Sequence, residues 1–316
     1  MDAALKFALA AVAVGLLVVF VDLGDTLDRL SRLDGQHVLL TAVVVALAHG
    51  VNALKLRLLL PERSRRALFA ATLAAQAYGL LLPGQIAGEV AKACQLGIGR
   101  GAEAERIVSS VMFDKMTGIV AGLLVTLAGL ASSAARFDAR LAWGGGGLLV
   151  VLCGITAALC SRRVARWLIG WLEGASGQPT AVWRLTAALR LEALLATWRQ
   201  HGANPGLIGL SLLYGVAAQG LAVAGAWILA LGLGVDLDYG VWCAVIGALT
   251  IILLAPVTIG GLGLREASLV GMLGLLGVTA DQALAVALTI LAFQLAVAAV
   301  GVAVSLLISH DPLPEE

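Results

Sequence analysis

Glu89, Lys92, Asp114, Arg265 and Glu266 are charged residues inside a chain that is otherwise almost all hydrocarbon. Glu89 and Lys92 follow Pro83, Gly84 and Gly88. Arg265 and Glu266 follow Pro256, Gly260, Gly261 and Gly263. Asp114, with Lys115 beside it, stands about two turns into the apolar run that begins at 107. Charge at membrane depth is costly and marks a functional site by default. Lys92 and Arg265 are cations suited to a phosphate or another polar group, Arg265 as a planar fork of donors. Glu89, Asp114 and Glu266 would orient those cations or take a basic group.

The elements that must position these residues follow from composition. The chain has 316 residues, of which 60% are hydrophobic and 13% charged; soluble domains carry about 25% charged residues. Mean hydropathy is +0.97. Apolar runs fall near 4–21, 38–54, 68–82, 107–130, 142–160, 206–231, 241–255 and 283–308, with shorter ones at 85–98 and 264–277. The fold class read from this is an all-α polytopic membrane protein, with residues 1–316 forming one transmembrane domain. At 4–21 Lys6 precedes the apolar run, and no small-residue cleavage site follows, so this segment reads as an uncleaved first span.

Runs 68–82 and 85–98 are each too short for a hydrocarbon core of roughly 30 Å. They read as half-helices around Pro83-Gly84. Runs 241–255 and 264–277 read the same way around Pro256 and Gly260-Gly261. The basic stretches 55–67 and 161–204 belong on the cytoplasmic side. Both fall there only if 68–98 is a re-entrant hairpin. Each half of the chain then has two spans, a hairpin and one more span. The first repeat is 1–130 and the second 141–308, in inverted topology, with both termini cytoplasmic. Pro83 to Gly88 and Pro256 to Gly261 share the pattern Pro-x-x-Ile-small-Gly. Segment 161–204 reads as cytoplasmic interfacial amphipathic helices, from the spacing of Val164, Trp167, Leu168, Trp171 and Leu172. Trp183 and Trp198 suit the headgroup level.

A broken helix frees backbone N–H and C=O groups, tolerable in lipid only where protein or a wet cavity satisfies them. The returning half-helix aims its positive end at the break, a setting suited to an anion. Glycines 260, 261 and 263 allow a sharp turn and close approach. Two readings of the charges stand side by side. They form a polar site between the repeats, or they only fasten the hairpins, Glu89 with Lys92 and Asp114 with Arg265. Gly118 and Gly122 read as a close helix contact.

Other chemistries find no support. Cys94, Cys153, Cys160 and Cys243 form no CxxC, and His37, His49, His201 and His310 are scattered, so neither a metal nor another cofactor is expected. The net charge of +1 gives no reason to expect nucleic acid. No Walker A loop, HExxH or G-x-S-x-G occurs, which argues against ATP-driven transport by this chain alone.

Three stretches carry a family resemblance: Leu82-Pro83-Gly84-Gln85-Ile86-Ala87-Gly88-Glu89, Phe113-Asp114-Lys115-Met116-Thr117-Gly118, and Pro256 through Gly260-Gly261-Leu262-Gly263-Leu264-Arg265-Glu266. Over about residues 5 to 308 the chain resembles the transmembrane flippase-like region of lysylphosphatidylglycerol synthases and their free-standing relatives. The resemblance implies a lipid-handling domain of a bacterial inner membrane. Its relatives are associated with aminoacylated phosphatidylglycerol, hopanoids and polyprenyl-linked sugars. Ala87 stands where the family often has a second glycine. The sequence ends at Glu316 without the soluble aminoacyl-transferase domain, so synthesis of lysyl-lipid is not carried over.

The function expected is a lipid flippase or transporter and not an enzyme, its partner a membrane lipid whose headgroup meets the five charged residues. Two alternatives are an enzyme that modifies a lipid headgroup and a non-transporting scaffold that presents lipid to a synthase partner. Oligomeric state is not legible in the sequence.

Overall fold

Ten helices and no strand occur among the described residues of the computed structural model, which are 33–81, 86–96, 102–137, 139–161, 181–254, 258 and 261–308. The helices are α1 (Gly35–Leu59), α2 (Arg65–Leu81), α3 (Ile86–Gln95), α4 (Ala102–Ser132), α5 (Ala139–Cys160), α6 (Ala181–Gly202), α7 (Pro205–Gly232), α8 (Tyr239–Leu254), α9 (Leu264–Leu275) and α10 (Ala280–Ile308). The expected span at 4–21, the amphipathic stripe from Val164 to Leu172, and Pro83, Gly84, Pro256 and Gly260 lie outside the described residues.

The long apolar runs become long helices. Gly35–Leu59, Glu103–Ser132, Pro205–Gly232 and Ala280–Val304 are each long and apolar enough to cross a membrane. Their starts are set locally. Asp34 accepts from Gln36 N at 3.2 Å to open α1. Asn204 accepts from Leu207 N at 3.1 Å to open α7, where Pro205 takes the first position, which needs no donor. Leu39, Val43 and Leu47 of α1 and Leu213 of α7 are exposed. Water would penalise that apolar surface and lipid does not. The chain has the architecture of a multi-pass membrane protein. Helices α2, α3, α8 and α9 have 17, 10, 16 and 12 residues, or about 25, 15, 24 and 18 Å at the helical rise.

The packing repeats between the two halves. α1 lies along α7, α2 along α10, and α4 along α8. Exchanging α1–α4 for α7–α10 turns α2–α10 into α8–α4, and α1–α2, α2–α3, α3–α4 and α1–α4 into pairs that also touch. The α4–α7 contact is the exception. Two connections sit at opposite ends of α4. Near its start, Arg106 pairs with Glu62 and Glu103 with Arg63, so the end of α1 meets the beginning of α4. Past its end, Arg136 lies 3.5 Å from Asp238, in the connection from α7 to α8. That same connection reaches the start of α10, where a Cβ on Gly234 would stand 3.9 Å from Gln282.

Two apolar cores are centred on the two halves, the second reaching Val125 of α4. Leu56, Leu68, Ala93 and Val111 join α1 to α4. Trp242, Leu269, Leu273 and Val286 join α8, α9 and α10. The tight contacts of α4 differ from the expected Gly118–Gly122 pair. Gly118 faces the Lys55 ammonium, and Gly122 makes ordinary contact with Gln219. Close approach occurs instead where Gly129 meets Gly240 and Cys243, and where Gly247 meets Thr126, all between α4 and α8.

Two expectations are corrected. Lys55, counted above in the basic stretch 55–67, belongs to a buried helix face and not to a connection: α1 runs on to Leu59, and the lysine is buried at 2% exposure. Trp198 is not presented to a headgroup layer. It packs edge-on to Phe113 with ring centroids 5.1 Å apart and donates from Nε1 to Thr156 O. The last turns of α6 lie against α4. Ser109 Oγ donates to Leu194 O there, and His201 Nε2 lies 3.0 Å from Ser110 Oγ. The Trp183 side chain lies outside the described residues.

Burial holds the His201 imidazole below its ordinary value of 6.5; Arg106 adds to this and Glu62 opposes it. A base with a lowered folded pKa stabilises fully above its unfolded value and loses that contribution as pH falls through the folded value. The melting temperature in detergent is therefore expected to fall as pH drops below 6.5. His201→Gln should flatten that dependence, and an identical slope in the variant would remove His201 as its cause.

Candidate functional site

A cavity of about 470 Å³ is lined by every described helix except α6, a volume within the range of roughly 300–1,000 Å³ for ligand sites. Glu89, Lys92, Asp114 and Arg265 all line it. Lys55 and Lys115 join them, with the amide side chains of Asn52, Gln76, Gln219 and Gln294.

The first half supplies a connected charge network. Lys55 Nζ on α1 lies 3.1 Å from Asp114 Oδ1 and donates to the Asp114 backbone carbonyl at 2.6 Å. Lys92 on α3 lies 2.9 Å from Glu89 and 3.7 Å from Asp114. Lys115 lies 3.4 Å from Glu89 and keeps 31% of its side chain exposed. Three helices are thus tied through two carboxylates. The expected Glu89–Lys92 pairing is present, and Asp114 takes lysines as its partners.

The second half supplies Arg265 from the first turn of α9. Gly261 and Gly263 precede it with φ of 75° and 77°, a left-handed region that a side chain would strain. A Cβ on Gly261 would also stand 2.9 Å from Leu253 and 3.4 Å from the Arg265 guanidinium. Glu266 has a different place. Its Oε2 accepts from Gly263 N at 2.7 Å, closing the amino end of α9, and it is not among the cavity-lining residues. The helix end expected to greet an anion therefore carries its own carboxylate, which already answers the positive end of the dipole. Gly88 lies within α3 and not at a break. A Cβ there would stand 2.6 Å from the Ala75 carbonyl of α2.

Sequence reasoning missed Lys55 and the four amides. A polar amide inside an apolar helical run is the same kind of anomaly as a charge and was the available signal. It also missed a register. Lys92 stands nine residues after Pro83, and Arg265 stands nine after Pro256. Lys92 and Arg265, two of the cavity's cations, thus occupy equivalent places in the repeated pattern.

A family model described as the lysylphosphatidylglycerol synthase TM region matches residues 3–301. No curated protein matches the chain.

Proposed function

The chain belongs to the lysylphosphatidylglycerol synthase TM region family, and from that premise we propose that it moves a polar-headgroup lipid between leaflets. A membrane lipid-related function follows from the family; the transport step is our reading of the cavity. The observation that carries it is a polar cavity, rich in paired charges, where both halves of the chain meet in an apolar helical protein. The headgroup enters that cavity, and the acyl tails stay in lipid.

The two halves act as inverted repeats, and their α2–α3 and α8–α9 pairs as re-entrant hairpins. Three features support this reading: the exchangeable packing of the halves, the matched places of Lys92 and Arg265, and the two connections at opposite ends of α4. Rocking of one repeat against the other then exposes the cavity to each face in turn. The basic residues Arg57, Arg63, Arg65 and Arg66 support a cytoplasmic side for their end, and in this reading both termini share that side of a bacterial inner membrane. Glu89 and Asp114 hold the lysines in place, and Arg265 meets the headgroup from the other half.

The test is translocation of acyl-labelled lipid in proteoliposomes. Arg265→Ala is expected to lower the initial rate at least about tenfold, equivalent to roughly 1.4 kcal/mol. A wild-type protein that moves no lipid would sink the transport reading. An unchanged rate in both Arg265→Ala and Lys92→Ala would sink only the residue assignment.

A further inference from the structure

The cavity has more cations than carboxylates. Among its described lining residues the cations are Lys55, Lys92, Lys115 and Arg265, and the carboxylates are Glu89 and Asp114. Glu266 is not part of the lining; it closes α9 through Gly263 N, and its charge offsets that of Arg265, which leaves three lysines against two carboxylates. Both lining carboxylates are already committed: Asp114 to Lys55 and Lys92, Glu89 to Lys92 and Lys115. Neither stands ready for a cation from outside. Within the network the looser cation is Lys115, the most exposed of the three lysines and 3.4 Å from its carboxylate.

Excess charge of one sign in a low-dielectric setting demands a counter-charge. We propose that the cavity selects a lipid headgroup of net negative charge, carried by its phosphate, and discriminates against headgroups of net positive charge. Lys115 sets that preference. The inference rests on the lipid-handling reading above and narrows its substrate class. It also separates this chain from the lipid its family is named for, since a lysyl ester adds two ammonium groups to one phosphate and leaves the headgroup net cationic. The phosphate meets Lys115 on one side and Arg265 on the other, while Lys55 and Lys92 keep their carboxylates.

Two measurements on the full chain test this and keep it distinct from transport. The first compares translocation of acyl-labelled phosphatidylglycerol, phosphatidylcholine and lysylphosphatidylglycerol in matched vesicles. The second compares binding of the same three lipids to the detergent-solubilised protein by native mass spectrometry, with glycerol phosphate as a lipid-free competitor. Phosphatidylglycerol is expected to exceed lysylphosphatidylglycerol at least about tenfold in both, since like charges brought together cost affinity steeply. Lys115→Gln should shrink that ratio, and Lys115→Glu should abolish or reverse it. Equal handling of the two lipids by the wild type, or an unchanged ratio in Lys115→Glu, would overturn the proposal. Glycerol phosphate binding as tightly as the whole lipid would overturn it too, assigning the site to a free phosphate. Preferential binding without translocation would sink the transport reading and leave this inference standing. Translocation without preference would do the reverse.

Discussion

Exchanging Lys55 for methionine is expected to cost about 3–5 kcal/mol of stability, the usual penalty for breaking a buried ion pair from one side. Lys55 is 2% exposed, so water does not replace it. Its ammonium serves Asp114 twice, at the carboxylate and at the backbone carbonyl. Without it the ion pair left to Asp114 among the described residues is Lys92, at 3.7 Å. Gly118 and Gly215 shape the space for the lysine: a Cβ on Gly118 would stand 3.3 Å from the ammonium, and one on Gly215 3.8 Å from Cε. The companion variant separates charge from packing. Lys55→Met with Asp114→Leu removes both ions and is expected to regain most of the loss, because apolar residues of similar size often replace a buried pair at little cost. Thermal melts in one detergent compare the three proteins. A Lys55→Met protein as stable as the wild type would mean that water reaches the pair.

The sequence carried the helices and four of the five proposed charges into one cavity, and the reasons differ by residue. Apolar runs of spanning length leave few alternatives to a membrane helix, which is why α1, α4, α7 and α10 were legible. Glu89, Lys92, Asp114 and Arg265 stood out because hydrocarbon surrounds each of them. Lys55 stood at the edge of its run, next to Arg57, where a snorkelling lysine and a buried one look alike. Its partner is 59 positions away, beyond the reach of any local pattern. Trp198 failed for a related reason: a tryptophan in a basic stretch suits a headgroup layer and a protein interior alike, and here α4 covers it. Glu266 was misjudged although its signal was local. Glycine followed three residues later by glutamate, at the start of an apolar helix, is half of a capping box, and Glu266 fills that role. Lys92 and Arg265 show the opposite case. Their shared offset from proline was readable, but it gains meaning only once both side chains line the same space.

Gly88→Ala is expected to cost about 1–3 kcal/mol, as overpacking does when the obstructing atom cannot move aside. The added methyl would stand 2.6 Å from the Ala75 carbonyl oxygen and 3.5 Å from the Gly79 Cα, both backbone of α2. No rotamer relieves that contact, so α3 must draw away from α2. The displacement would carry Glu89 and Lys92, the next charged groups on α3, out of register with Asp114 and Lys115 on α4. Gly79→Ala is the matched control. It lies in α2 facing Gly88, yet its own Cβ would meet nothing within 4 Å. Alanine there should be neutral, or stabilising by up to about 1 kcal/mol through helix propensity. Melting curves of the two variants decide the point. Equal stability would mean that the arms part without cost, and close packing would then not be what holds this pair of helices together. A loss confined to Gly88→Ala, together with slower lipid translocation, would tie the spacing of the pair to the cavity that it lines.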